Sequence, residues 1–172
     1  MHALVVFESS FGNTRRIAES IADGLRSAAT ATVVEARELD SAAPNGIDLL
    51  VVGAPTHAWS LPRENTRRGA AQQAQGDAAT VGPGVREWLA TLPSVRSGAR
   101  AVTFDTRFAK SRWLTGSAAR TASARLRRLG YQVVTTESFF VTGTQGPLRD
   151  GEIERARTWG ARLAETFAAS TS

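Results

Sequence analysis

The chain has 172 residues, is 42% hydrophobic and carries a formal net charge of +5, which suits one domain over residues 1–172 with a real core. Cysteine is absent, which excludes disulfides, zinc–thiolate centres and thiol nucleophiles. No apolar run approaches the ~20 residues of a membrane span, and MHALVVF lacks the cationic start and cleavage site of a signal peptide, so a cytoplasmic protein without membrane contact is expected.

In chain order, Ala3 to Phe7 (ALVVF) reads as a short buried strand. A loop of small polar residues follows, and then Ile17, Ile21, Leu25 and Ala28 recur at helical spacing on one apolar stripe. Thr32 to Ala36 is a weaker strand, suited to an edge. Ile47 to Val52 (IDLLVV) is a strong buried strand ended by Gly53-Ala54-Pro55. Ser60 to Gly82 is polar and rich in Ala, Gln and Gly; it predicts a long connection over the ligand-binding edge, with a short helix in RENTRRGAAQQAQ. Pro83 to Leu92 has helical spacing at Val85, Trp88, Leu89 and Leu92, with Pro near its start. Ala99 to Phe104 is a strand. Gly116 to Leu129 is a helix stopped by Gly130. Gln132 to Val141 is a long strand, and Asp150 to Phe167 a helix that Asp150 can cap. Strands alternating with helices imply right-handed crossovers and a parallel sheet covered on both faces. No internal repeat is present.

Nearly all cations are Arg; Lys110 is the sole lysine. Arg107, Lys110, Arg112, Arg120, Arg125, Arg127 and Arg128 fall in a span without a carboxylate. Such a run can face an acidic partner, a phosphate-bearing ligand or nucleic acid. A solvated helix face is the commoner reason for one.

In open parallel sheets, ligands bind at the carboxyl ends of the strands. Three stretches stand out there. The first is Ser9-Ser10-Phe11-Gly12-Asn13-Thr14. Gly12 admits close approach of a ligand, Ser9, Ser10 and Thr14 supply hydroxyls and Asn13 an amide. The N–H groups opening the next helix carry the positive dipole end, so the stretch can cradle a phosphate. Its spacing matches neither the dinucleotide glycine motif nor the P-loop, and an ordinary capped turn uses the same residues. The second is GAPTHAWSLP, residues 53–62, where Pro55, Thr56, His57 and Ala58 lead to Trp59, a flat surface for stacking on a planar ring or for closing a small apolar cluster. The third, residues 104–119, leaves the fourth strand with Asp105, Thr106 and Arg107, then offers Phe108 and Trp113; Thr115-Gly116-Ser117 opens the next helix. Asp105 and Arg107 also suit a local salt bridge.

The order strand, S-S-F-G-N-T, helix, then strands ending in G-A-P-T-H-A-W and F-D-T-R, resembles the flavodoxin-like proteins, in particular small single-domain flavodoxins of high-GC bacteria. The resemblance covers essentially the whole chain. It implies a three-layer α/β/α fold, doubly wound, with five parallel strands in the order 2-1-3-4-5. It also implies FMN as cofactor, with Ser9 to Thr14 on the 5′-phosphate, Pro55 to Trp59 flanking one side of the isoalloxazine and Asp105 to Phe108 bordering its pyrimidine side. The family phosphate loop is commonly T/S-x-T-G-x-T; Ser9, Gly12 and Thr14 match it, and Phe11 stands where Thr is usual, costing one hydroxyl but no backbone donor. The expected role is electron transfer to a redox partner protein or a small-molecule acceptor, without metal or protein nucleophile. An FMN-dependent NAD(P)H:quinone-type oxidoreductase and a flavin-free binding or regulatory module on the same fold remain open. Nucleic acid is not expected as a partner, because aromatics in the Arg-rich stretch are few and no nucleic-acid motif appears.

Overall fold

The structure, a computed structural model, describes residues 1–39, 46–58, 60–73, 82–95, 98–108 and 116–168. Trp59, Lys110, Arg112, Trp113 and Thr115 lie outside the described residues. In chain order come β1 (His2–Phe7), α1 (Asn13–Leu25), β2 (Thr30–Glu35), a 3-10 turn (Ala36–Glu38), β3 (Leu49–Pro55), α2 (Glu64–Gln73), α3 (Val85–Thr91), β4 (Arg100–Phe108), α4 (Ala118–Arg128), β5 (Gln132–Val141) and α5 (Glu152–Ala168). The five strands form one sheet in the order β2-β1-β3-β4-β5, and every pairing is parallel. The expected architecture and strand order are both present.

Alternate residues of each strand serve the two faces, as the period of two requires. On one face Val5, Phe7, Val51, Val102, Phe104 and Phe139 pack under α1 and α5 through Ile17, Ile21, Leu25, Leu163 and Phe167. On the other, Leu4, Val6, Leu50, Val52 and Ala101 meet Trp88 and Leu89 of α3 and Ala122 and Leu126 of α4. Each large side chain buried this way contributes roughly 1.5–3 kcal/mol. Helices α1 and α5 cross very closely. A Cβ added at Gly24 would lie 2.0 Å from the Arg157 carbonyl oxygen, and one at Gly160 would lie 2.1 Å from that of Ile21.

Among the boundaries that differ from the sequence reading, three matter here. Helix α1 stops at Leu25, short of Ala28, because the Ser27 N–H turns back to the Gly24 carbonyl at 3.2 Å and the Ser27 hydroxyl competes for the same oxygen at 2.8 Å. Strand β3 continues through Gly53, Ala54 and Pro55, which pair with Phe104, Asp105 and Thr106. Asp105, Thr106, Arg107 and Phe108, expected to begin a loop, are the last four residues of β4, held by pairing with Ser138, Phe139, Phe140 and Val141. That places their side chains on a rigid strand, alternating between the faces.

Candidate functional site

Strand order reverses between β1 and β3, a switch point of the kind beside which open parallel sheets bind ligands in a crevice. The turn from β1 into α1 forms its floor. Gly12 is the N-cap residue of α1 with φ 80°, a left-handed conformation that Gly adopts at no steric cost. A Cβ built there meets no atom within 4 Å, so the space above it is open. The Ser9 hydroxyl accepts the Arg15 N–H at 3.3 Å. Among the described residues no acceptor meets the N–H groups of Gly12, Asn13 or Thr14. The first turn of α1 carries no acidic residue and instead has Arg15 and Arg16. Cations at that end oppose the helix dipole. Free donors at the positive end of the helix dipole and an open volume over Gly12 together fit an anion, and a phosphate fits them well.

Loop side chains lock this floor to its neighbours. The Thr14 and Thr106 hydroxyls, both buried, are 2.7 Å apart and share a hydrogen bond. This ties the phosphate-type turn to the end of β4. The Asn13 amide donates to the Gln145 carbonyl at 2.9 Å, and a Cβ at Gly146 would strike the Asn13 side chain at 2.7 Å. Ser10, Phe11, Asn13, Thr14, Pro55, His57, Thr106, Arg107 and Phe108 thus line one open cleft, together with Val141, Gly143 and Thr144. The last three were not read from the sequence as site residues. Their signal was the run TGTQGP between β5 and α5, Gly- and Thr-rich and at the ligand-binding end of a strand.

Other expected residues stand around the cleft. Asp105 is fully buried. Its Oδ2 accepts from the Thr56 hydroxyl at 3.1 Å, the Ser117 hydroxyl at 2.5 Å and the Ala119 N–H at 3.2 Å. Thr56 in turn accepts the Ala118 N–H at 3.0 Å. Asp105 and Thr56 therefore cap α4 and fasten it to the end of β3. The salt bridge expected between Asp105 and Arg107 is loose, with Nε 4.0 Å from Oδ1. Neither of those two atoms has a hydrogen-bond partner among the described residues. The Arg107 guanidinium instead lies over the Phe140 ring, 5.6 Å from its centroid. His57 and Ser60 exchange two backbone hydrogen bonds of 2.9 Å, and Ala58 between them has φ 43°, uncommon for a residue with a side chain. Burial and then the charge of Arg67 push the His57 imidazole below its ordinary value, so it is neutral at pH 7.

A second pocket, open to solvent, lies behind the turn, between the ends of β1 and β2, and Ser9 and Ser10 border it. Its charges are matched. Glu35 holds Arg15 at 2.7 Å and Arg37 at 3.0 Å. Arg67 holds Glu87 at 2.8 Å and, more weakly, Glu8 at 3.4 Å.

The crevice at the β1/β3 switch point and the strand order define a flavodoxin-like fold. A family model described as the flavodoxin domain matches residues 4–67, from β1 into α2. Solved structures that match over nearly their whole length include flavodoxin 2 from Bacillus cereus in its oxidised form (16% identity, TM-score 0.66, 99% of each chain covered). An archaeal flavodoxin matches at 18% identity and TM-score 0.63, covering 98% of this chain and 99% of that one. The two-electron reduced flavodoxin of Megasphaera elsdenii matches at 17% identity and TM-score 0.61, covering 93% and 98%. At these identities the likeness is one of fold. No curated protein matches the sequence significantly. No helix among the described residues is long and apolar enough to cross a membrane.

Proposed function

We propose that the cleft binds FMN and that the protein transfers electrons through it. The observation that carries this reading is the turn at Gly12, with N–H groups lacking an acceptor beneath an open volume at the switch point. Those donors and the hydroxyl of Ser10 would hold the phosphate. Pro55 and His57 on one side, and Thr106, Arg107 and Phe108 on the other, would border the ring. The flavin supplies the redox chemistry when bound. The chain orients it, shields it and sets the charge around it. His57 lines the cleft without charge, whereas Arg107 brings a cation that Asp105 at 4.0 Å neutralises only in part. One anion cradle of this kind occurs among the described residues, which favours FMN over a dinucleotide.

The purified protein should be yellow, or become so on titration with FMN, and mass spectrometry of the chromophore released on denaturation should give FMN. Stoichiometric FAD would overturn the assignment, and failure to bind any flavin would turn the reading to a flavin-free module. A carrier should not oxidise NAD(P)H rapidly on its own; rapid oxidation would make it an FMN-dependent oxidoreductase.

A further inference from the structure

Helix α4 (AARTASARLRR) has four arginines and no carboxylate. Ala118, Ala119, Ala122, Ser123 and Leu126 form its buried side, so Arg120 and Arg128 emerge on the outward side, while Arg125 and Arg127 leave the two flanks, donating to the Arg86 carbonyl and the Val133 carbonyl. On the Arg125 flank stand Arg86 of α3 and Arg63, ahead of α2, close enough for their charges to act on one another. Some arginines elsewhere pair with neighbouring carboxylates, as in Arg15–Glu35 at 2.7 Å and Arg67–Glu87 at 2.8 Å. Among the described residues none of these six has a carboxylate within ion-pair distance.

Part of this face is also built rather than loose. Arg86 donates Nε to the Pro62 carbonyl at 3.0 Å and Nη2 to the Leu61 carbonyl at 2.6 Å. Arg125 donates Nη1 to the Arg86 carbonyl at 2.8 Å. Guanidiniums fixed in this way lose little further side-chain freedom when they bind; Arg86, which also gives Nη2 to the Ser60 hydroxyl at 3.2 Å, keeps Nη1 for an outside acceptor, and Arg125 keeps its Nε and Nη2 edge. Burial, and then the charges of Arg125 and Arg63, push the Arg86 guanidinium below its ordinary value, a sign that these cations crowd one another. The face also adjoins the cleft. The Thr121 hydroxyl lies 3.1 Å from that of Ser60, at the end of the His57 turn, and Asp105 anchors the start of the helix.

We propose that the outward face of α4, with Arg63 and Arg86, is a docking surface for an acidic segment of a partner protein. Charge complementarity selects such a partner: ordered cations lacking intramolecular carboxylates are satisfied by carboxylates from outside. Nucleic acid suits the face less well, because α4 has no aromatic side chain on which bases could stack.

The test is independent of flavin. A fluorescein-labelled peptide of about twelve glutamates is titrated with the protein at about 20 mM and roughly 150 mM salt, following anisotropy. Two double variants are compared, Arg120→Glu with Arg128→Glu on α4 and Arg157→Glu with Arg162→Glu on α5, which change net charge equally. The α4 pair should weaken peptide binding at low salt at least about tenfold, and the α5 pair less than about twofold. Equal losses would mean that net charge alone attracts the peptide, and no binding at low salt would remove the surface; either overturns the proposal. So would tighter binding of a 20-base-pair duplex than of the peptide at the higher salt through the same arginines, which would assign the face to nucleic acid. Circular dichroism of each variant confirms that it is folded.

Discussion

At Asp105 one carboxylate oxygen takes three donors from two different segments, at a site with no exposure to solvent. Replacing Asp105 with Ala would leave the Ala119 N–H and two hydroxyls short of an acceptor, and should cost about 3 kcal/mol in urea denaturation. Asn, whose carbonyl can stand in for Oδ2, should recover much of that; an Ala variant as stable as wild type would show that the network is dispensable. Glu8 sends a pH signal of defined sign. Burial pushes its carboxyl above the ordinary value of 4.5, against the lowering pull of Arg67 and of the Val85 N–H. The native state then binds more protons than the unfolded chain from about pH 4.5 upward, so this group's contribution to stability falls as pH rises through that window. Glu8→Gln, whose carbonyl can still accept from Val85, should therefore gain on wild type between pH 4.5 and 7; parallel stability curves would remove Glu8 as the source. At this scale the sequence was only partly legible. Ser9, Gly12, Asn13 and Thr14 were readable because a strand–turn–helix motif is local. The capping role of Asp105 was not, because its partners Thr56 and Ser117 lie 49 and 12 positions away.

The elements were legible wherever pattern alone decides them. The run ALVVF and the stripe Ile17, Ile21, Leu25 produced β1 and α1, and Gln132 to Val141 gave β5 with the expected bounds. The ends of β3 and β4 were missed because strand pairing, not composition, carries them past Gly53 and Phe104. The crossing of α1 and α5 was also hidden, since a Gly inside a helix reads as a weakness. Here Gly24 and Gly160 set how closely the two axes approach, with the Gly24 Cα 3.2 Å from the position of a Cβ on Gly160. Alanine is favoured over glycine within a helix by about 1 kcal/mol. Yet a methyl at Gly24, 2.0 Å from a backbone oxygen, forces the helices apart, and overpacking of this kind costs typically 1–3 kcal/mol. The clash wins: Gly24→Ala should lower the melting temperature by several degrees. An unchanged or raised value would show that the crossing tolerates separation.

For the whole molecule, charge and cleft have to be taken together. The chain carries +5 overall, and Arg107, 14% exposed, places one cation at the cleft with only a distant carboxylate for company. Such a charge favours uptake of electrons by a flavin bound there. Discounted for screening at the open cleft, the effect is of order 1 kcal/mol, or roughly 40 mV for one electron. Arg107→Ala should lower the flavin midpoint potential in anaerobic potentiometry by tens of millivolts; no shift, or a rise, would take Arg107 out of that role. All of this depends on whether the turn at Gly12 grips a phosphate, and a calorimetric titration of wild type and Gly12→Val with FMN tests that most directly. The valine side chain would enter open space in the protein, so circular dichroism should show the fold retained, with some strain from the positive φ. It would fill the volume the phosphate needs. Losing two charge-assisted hydrogen bonds costs roughly 3 kcal/mol, or about 100-fold in affinity. Wild type should therefore bind one FMN per chain and the folded variant at least about 100-fold more weakly; a variant that binds FMN as tightly as wild type would contradict the account.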